Sequence, residues 1–337
     1  MKKIAFLLVL LYAVICFVGC SQTDIEEPIV PDEGEFIYAQ QSVVNIKKNS
    51  KYADFFNGEG EFYVPGLKDG FIPQSVDVND DKFYVSGYFN NLKQSVIFVI
   101  DGKTKKRVKE LFIQDITGAE YNGHLGGIAV NSNHMFLTLD GNKIGTISMS
   151  TINDASFSDT VKIEREITTP VKASYCNYSN GYLYVGEFEL EKEKFTTSPE
   201  HKTNGFRGWT AAYLVNIDGS IVLDKIISVP EKVQGFTDTG TEYAISVSYG
   251  RTKTSYIRFF KKTANVGAVI VDGMAIPLYE LSSQTREYVC PPMTEGITYR
   301  SGSVYVVFES ATNKYYFDAN IFHRAICPVD MVWKLVG

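Results

Sequence analysis

Gln74-Ser75-Val76-Asp77-Val78-Asn79-Asp80-Asp81-Lys82-Phe83-Tyr84-Val85-Ser86-Gly87-Tyr88 holds two strands and the turn between them. Val76 and Val78 alternate with polar residues, Asn79-Asp80-Asp81 breaks the run, and an aromatic-rich segment follows, which is a hairpin signal. The order returns four times, in Gly126-Gly127-Ile128 to Leu139, Ala173-Ser174-Tyr175 to Phe188, Gln234-Gly235-Phe236 to Tyr249, and Glu295-Gly296-Ile297 to Ser310. Measured between the middle residues of the opening triplets, the copies stand 52, 47, 61 and 61 residues apart. Repeats of about 40–50 residues with about four strands each mark a β-propeller. The reading is an all-β chain with a single propeller over residues 35–337, five blades being the favoured count. Six is the rival, if residues 35–72 and part of the fourth repeat build a further blade.

The outer strands follow the hairpins. Segments 95–100 and 108–113 serve the first repeat, and 211–217 and 221–229 the third. In the fourth, 255–260 is followed by both 266–271 and 276–281, so a strand is surplus. The last repeat offers only 297–299, 304–308 and 331–336 before the chain stops. An unfinished blade would expose an edge that invites aggregation. The strand-like stretch 36–46 is therefore expected to complete it and close the ring.

Composition supports the class and restricts the partners. The 337 residues include 21 Tyr, 22 Phe and 27 Gly, suited to strands and turns. Lys2 and Lys3 precede an apolar run ending in Phe17-Val18-Gly19-Cys20, which resembles the bacterial lipobox. Residues 1–19 then form a lipoprotein signal peptide, Cys20 carries the lipid, and the protein is exported and anchored to the cell envelope. An ordinary secretory signal that contains a cysteine is the other reading. Residues 20–34 are acidic, carry Pro28 and Pro31 and lack aromatics, as a disordered tether does. Removal of Lys2 and Lys3 takes the formal charge from −6 to −8, a poor match to nucleic acid. Outside the leader, Cys176 reads as a small buried hydrophobe, and Cys290 with Cys327 is the better pair if a disulfide forms.

Strand direction places the candidate site. An inner strand starts on the face where its hairpin partner ends, so residues opening each repeat share a mouth with residues closing each second strand. The ligand-binding candidates are Gln74, His124, Glu187, Gln234, Tyr249, Arg251, Glu295 and Glu309, with Tyr88, Asp140, Ser174 and Ser310 beside them. Two long loops, 189–209 and 311–328, rise on the same face, where function concentrates. Arg251 would offer a fork to a carboxylate or phosphate, unless Glu295 or Glu309 already fills it. Converging carboxylates can hold raised pKa values or bind a divalent cation through oxygen. No motif spacing specifies a cofactor or metal, and four His make a His-rich zinc site a poor fit.

The repeats, the lipobox and Pro291-Pro292-Met293-Thr294-Glu295-Gly296-Ile297 resemble bacterial surface β-propeller lipoproteins. A narrower stretch is similar to the five-bladed plant- and bacterial-type glutaminyl cyclases: Gln234-Gly235-Phe236, then Ser246-Val247-Ser248-Tyr249-Gly250-Arg251 and Tyr256-Ile257-Arg258. That resemblance implies a shared fold and not the cyclase reaction, since Ile245 stands where the family has a glutamate. The expected function is non-catalytic binding of a carbohydrate, peptide or protein partner at the central mouth. The alternative is a propeller hydrolase, lyase or glutaminyl-cyclase-like enzyme using the mouth carboxylates. A third is a structural scaffold within an envelope complex.

Overall fold

A computed structural model describes residues 40–190, 195–318 and 320–336. The expected signal peptide, the tether, Cys20 and residues 36–39 of the expected closing strand lie outside the described residues. The first strand among the described residues, β1 (Glu59–Tyr63), belongs to the last blade. Blade one runs β2 (Phe71–Asn79), β3 (Lys82–Phe89), β4 (Gln94–Asp101) and β5 (Arg107–Gln114). Blade two contains β6 (Ile128–Val130), β7 (His134–Leu139) and β8 (Lys143–Ser148). The next strand, β9 (Ser158–Lys162), pairs parallel to β5 on the outside of blade one, and β10 (Arg165–Thr168) completes blade two.

Blade three is β11 (Tyr175–Ser179), β12 (Tyr182–Gly186), β13 (Gly208–Val215) and β14 (Ile221–Val229). Blade four is β15 (Val233–Asp238), β16 (Glu242–Val247), β17 (Ser255–Lys261) and, after an excursion, β20 (Gln284–Cys290). The excursion resolves the surplus strands of the fourth repeat. Its hairpin, β18 (Gly267–Val271) with β19 (Met274–Glu280), leaves blade four and lies on blade three, β19 parallel to β14. Blade five is β21 (Thr294–Arg300), β22 (Ser303–Phe308), β23 (Met331–Val336) and β1. Among the described residues the sheets are five, and the chain is a five-bladed β-propeller.

An N-terminal strand does close the ring, though at a different place from the expected 36–46. The described part of that stretch, 40–46, is irregular; Val43 and Val44 donate backbone N–H groups to Asp330 Oδ2 at 2.8 and 3.1 Å. Glu59–Tyr63 pairs antiparallel with β23, setting Gly60 opposite Trp333 and Phe62 opposite Val332. The close approach shows just ahead of the strand at Gly58, where a Cβ would lie 2.4 Å from the Lys334 carbonyl oxygen, a main-chain atom that cannot turn aside. Phe55 stacks on Trp333 at 5.1 Å, and Trp333 Nε1 donates to the Phe55 carbonyl at 3.0 Å.

The core is divided among the blade-to-blade seams. Five apolar clusters fill them, for example Val76, Phe83 and Val85 against Tyr305 and Val307, or Tyr184 and Ala212 against Phe236 and Ile245. Tight turns with positive φ, such as Asn180 (49°) and Gly181 (85°), join inner and second strands on the face opposite the mouth.

At the axis the inner strands meet almost backbone to backbone. A Cβ on Gly127 would lie 2.1 Å from the Cys176 nitrogen, and one on Gly296 would lie 2.2 Å from Ser75 Oγ. Beneath this layer Asp77 binds neighbouring strands together. Its Oδ1 accepts from Val78 N at 2.8 Å and Thr298 Oγ1 at 2.7 Å, and its Oδ2 from Val130 N at 2.7 Å. Asn177 Nδ2 donates to Thr298 Oγ1 at 3.1 Å, so four of the five inner strands share one hydrogen-bonded group.

Candidate functional site

Above the closed axis, the face where the inner strands begin holds a cavity of about 480 Å³. Three of its residues owe their aim to the same device. In β2 the pairing skips Gln74, in β15 it skips Gln234, and in β21 it skips Glu295 and Gly296. A bulge adds a residue to one strand and redirects its side chain. Three blades thus turn a polar residue toward one space at the point where each repeat opens.

Gln74, His124, Gln234, Tyr249, Arg251, Glu295 and Glu309 all line the cavity, as do Tyr88, Asp140 and Ser174. Glu187 does not. It is buried, with Oε1 accepting from Trp209 N at 2.9 Å and bonded to His201 Nδ1 at 2.7 Å, while the His201 ring stacks on Trp209 at 3.7 Å. This carboxylate anchors the loop after β12, and Phe188 and Phe195 from that region line the cavity instead. Ser310 is also buried, accepting from Val329 N at 3.1 Å.

Lys314 and Tyr315, on the short helix Asn313–Tyr316, complete the wall. Their loop is legible in the sequence from its length, but length does not tell which of its side chains turns inward. Arg251 Nη1 donates to Asp318 Oδ2 and the His323 carbonyl, both at 2.7 Å, and its guanidinium lies 4.8 Å from the Tyr315 ring centre. The fork is occupied, by Asp318 rather than by Glu295 or Glu309.

Glu295 and Glu309 are the chemical centre. They hydrogen-bond each other, and Glu309 also accepts from Gln74 Nε2 at 3.2 Å and from the Tyr315 hydroxyl. Burial raises Glu309 to about 7, with Lys314 pulling the other way. Burial and the charge of Glu309 push Glu295 well above the carboxylate range. The pair therefore keeps a proton at neutral pH. Burial lowers His124, whose ring centre is 4.7 Å from that of Tyr88, so it is neutral at pH 7. The same carboxylates, after burial, raise the Tyr88 hydroxyl.

Raised carboxyl values make this pair a pH-dependent load on stability. The folded protein holds protons that the unfolded chain has lost, so the contribution is fully present below the ordinary glutamate value of 4.5 and is lost as pH rises through about 7. Glu295→Gln removes one of the two competing charges while keeping the shape. Urea unfolding should show the variant gaining about 1–2 kcal/mol over wild type at pH 8 and little at pH 5. Equal effects at both pH values would contradict the shared proton.

Cys176, Cys290 and Cys327 are free thiols, the last two packed in one apolar cluster. Burial raises Cys176 and Cys290 far above the range of a nucleophile. Among the described residues no group of three or more His, Cys, Asp or Glu is gathered as metal ligands.

No protein-family model matches this chain, and no curated protein matches it in sequence. Solved structures that align with it include a glutaminyl cyclase from Myxococcus xanthus, 11% identical with a TM-score of 0.40, covering 72% of this chain and 87% of that one. A luciferin-regenerating enzyme aligns at 11% identity and a TM-score of 0.40, covering 79% of this chain and 91% of that one. The WD40 β-propeller domain of Doa1 aligns at 8% identity and a TM-score of 0.35, covering 72% and 91%. Likeness this distant adds nothing to the account of the site.

Proposed function

We propose that this chain is a lipid-anchored cell-envelope protein whose propeller binds a carbohydrate, peptide or protein partner at the axial cavity without transforming it. The observation that carries the proposal is convergence. Gln74, Gln234 and Glu295, turned by bulges in three separate blades, surround one cavity of about 480 Å³ together with His124, Tyr249 and Glu309. Aromatic walls with a few placed polar groups are what a small-ligand site requires. A thermal-shift screen of glycans, peptides and metal ions tests it, because a ligand specific for the folded state must raise its stability.

Anchoring rests on the basic start, the short apolar run and the Gly19-Cys20 junction. Radiolabelled palmitate should enter the wild-type chain and be absent from Cys20→Ala. A secreted wild type that carries no lipid would end that part of the proposal.

A second reading has one specific observation in its favour. Two hydrogen-bonded carboxyls, one protonated near neutral pH, can serve as acid and base in a hydrolase, lyase or cyclase. Incubating each screening hit with the protein and weighing the products separates the two. Turnover lost in Glu295→Gln with binding retained would favour the enzyme.

A further inference from the structure

The environment of Glu295 and Glu309 points to a class of ligand. They interact with Gln74 from β2, Tyr88 from β3, and Lys314 with Tyr315 from the short helix, while His124, Asp140 and Arg251 line the same cavity. The chain already sets an ammonium at the edge of this arrangement. Lys314 Nζ lies 5.9 Å from the Tyr88 ring centre and 5.0 Å from that of Tyr315, and its charge acts on Glu309. Aromatic faces and carboxylates together attract cations. An anion would meet two carboxyls and an arginine already engaged by Asp318.

We propose that the ligand presents a primary ammonium group, which enters between Tyr88 and Tyr315 and donates hydrogen bonds to Glu295 and Glu309. The inference rests on the cavity being the binding site and narrows what the cavity accepts. The balance is simple: the ammonium keeps its three protons, the proton shared by the two carboxyls passes to the buffer, and no covalent bond is made or broken. Lys314 is then an internal competitor, occupying the approach until the ligand arrives.

Two matched pairs of probes test this on the purified full-length chain: n-butylamine against 1-butanol, and glucosamine against glucose. In each pair the ammonium compound should stabilise the protein at pH 7 and bind at least about tenfold more tightly than its neutral partner. Calorimetry in buffers of different ionisation enthalpy should show protons released on amine binding. Glu309→Gln should abolish both the preference and the release. If that variant fails to fold, Lys314→Met carries the test, and it should tighten n-butylamine binding. n-Butylamine binding no tighter than 1-butanol, or glucosamine binding no tighter than glucose, would mean that the ammonium is not what is read, and would overturn the inference. Glucose binding equal to glucosamine, and lost when Gln234→Trp obstructs the cavity, would overturn the ammonium while leaving the cavity as the site. Amine binding that persists in both Glu309→Gln and Gln234→Trp would overturn both.

Discussion

Gly127→Ala should destabilise this propeller by about 3 kcal/mol or prevent its folding, a large loss for the addition of one methyl group. The new Cβ would lie 2.1 Å from the Cys176 nitrogen and 2.7 Å from the Tyr175 carbonyl carbon, both main-chain atoms of the neighbouring inner strand. Backbone cannot step aside as a side chain does, so two blades would have to separate at the axis. Gly296→Ala meets a softer neighbour, with Ser75 Oγ at 2.2 Å and Ser75 Cα at 2.7 Å. Ser75→Gly should therefore rescue part of the Gly296→Ala loss, an interaction between the two sites that denaturant titration of the four variants would measure. Full additivity would show that the strands at the axis are not held at this distance.

Asp77→Ala should cost a further amount of the same order, about 3 kcal/mol, because the Val130 N–H and the Thr298 hydroxyl would lose their buried acceptor. The pH dependence gives this prediction a second edge. Burial raises Asp77 to about 7 against its hydrogen bonds from Thr298, Val130 and Val78. Its favourable contribution is thus fully present below the ordinary value of 3.8 and fades as pH rises through about 7. The measured loss in Asp77→Ala should be larger at pH 5 than at pH 9. A loss that grows with pH would mean that the ionised carboxylate is the stabilising form.

Those two residues also show what the sequence could reveal. The five openings were legible because each repeat begins with small or polar residues and turns through Asn, Asp, Ser or Gly, a pattern with a period long enough to count. The roles within an opening were less legible. Gly127, Gly235 and Gly296 announce close approach only once five inner strands are known to meet, and Asp77 reads as an ordinary polar residue of an alternating strand. The stretch 36–46 reads as strand-like, whereas Gly58 and Gly60 disguise the strand that docks on β23. The β18–β19 hairpin could not be assigned to blade three because its pairing is with a strand some fifty residues earlier, and nothing in its own alternation names that partner.

The site divides along the same line. Topology alone brought Gln74, His124, Gln234, Tyr249, Arg251, Glu295 and Glu309 to one face, since strand direction needs no contact to be known. It also included Glu187, which occupies an equivalent strand position but turns to Trp209 and His201. Nothing local distinguishes those two outcomes, because the deciding residues lie in the following loop. Bulges at Gln74, Gln234 and Glu295 were hidden for a related reason: an inserted residue is visible only against the strand it slips past.

The axial cavity is the proposed ligand site. The most direct measurement compares wild type with Gln234→Trp, a variant whose indole would obstruct the cavity from the mouth of blade four, in the same thermal-shift screen of glycans, peptides and metal ions. Every compound that stabilises the wild type should lose its effect on the variant, while the variant's own melting temperature stays close to that of wild type. Hits that stabilise both proteins equally would contradict the account and move the site to the outer rim.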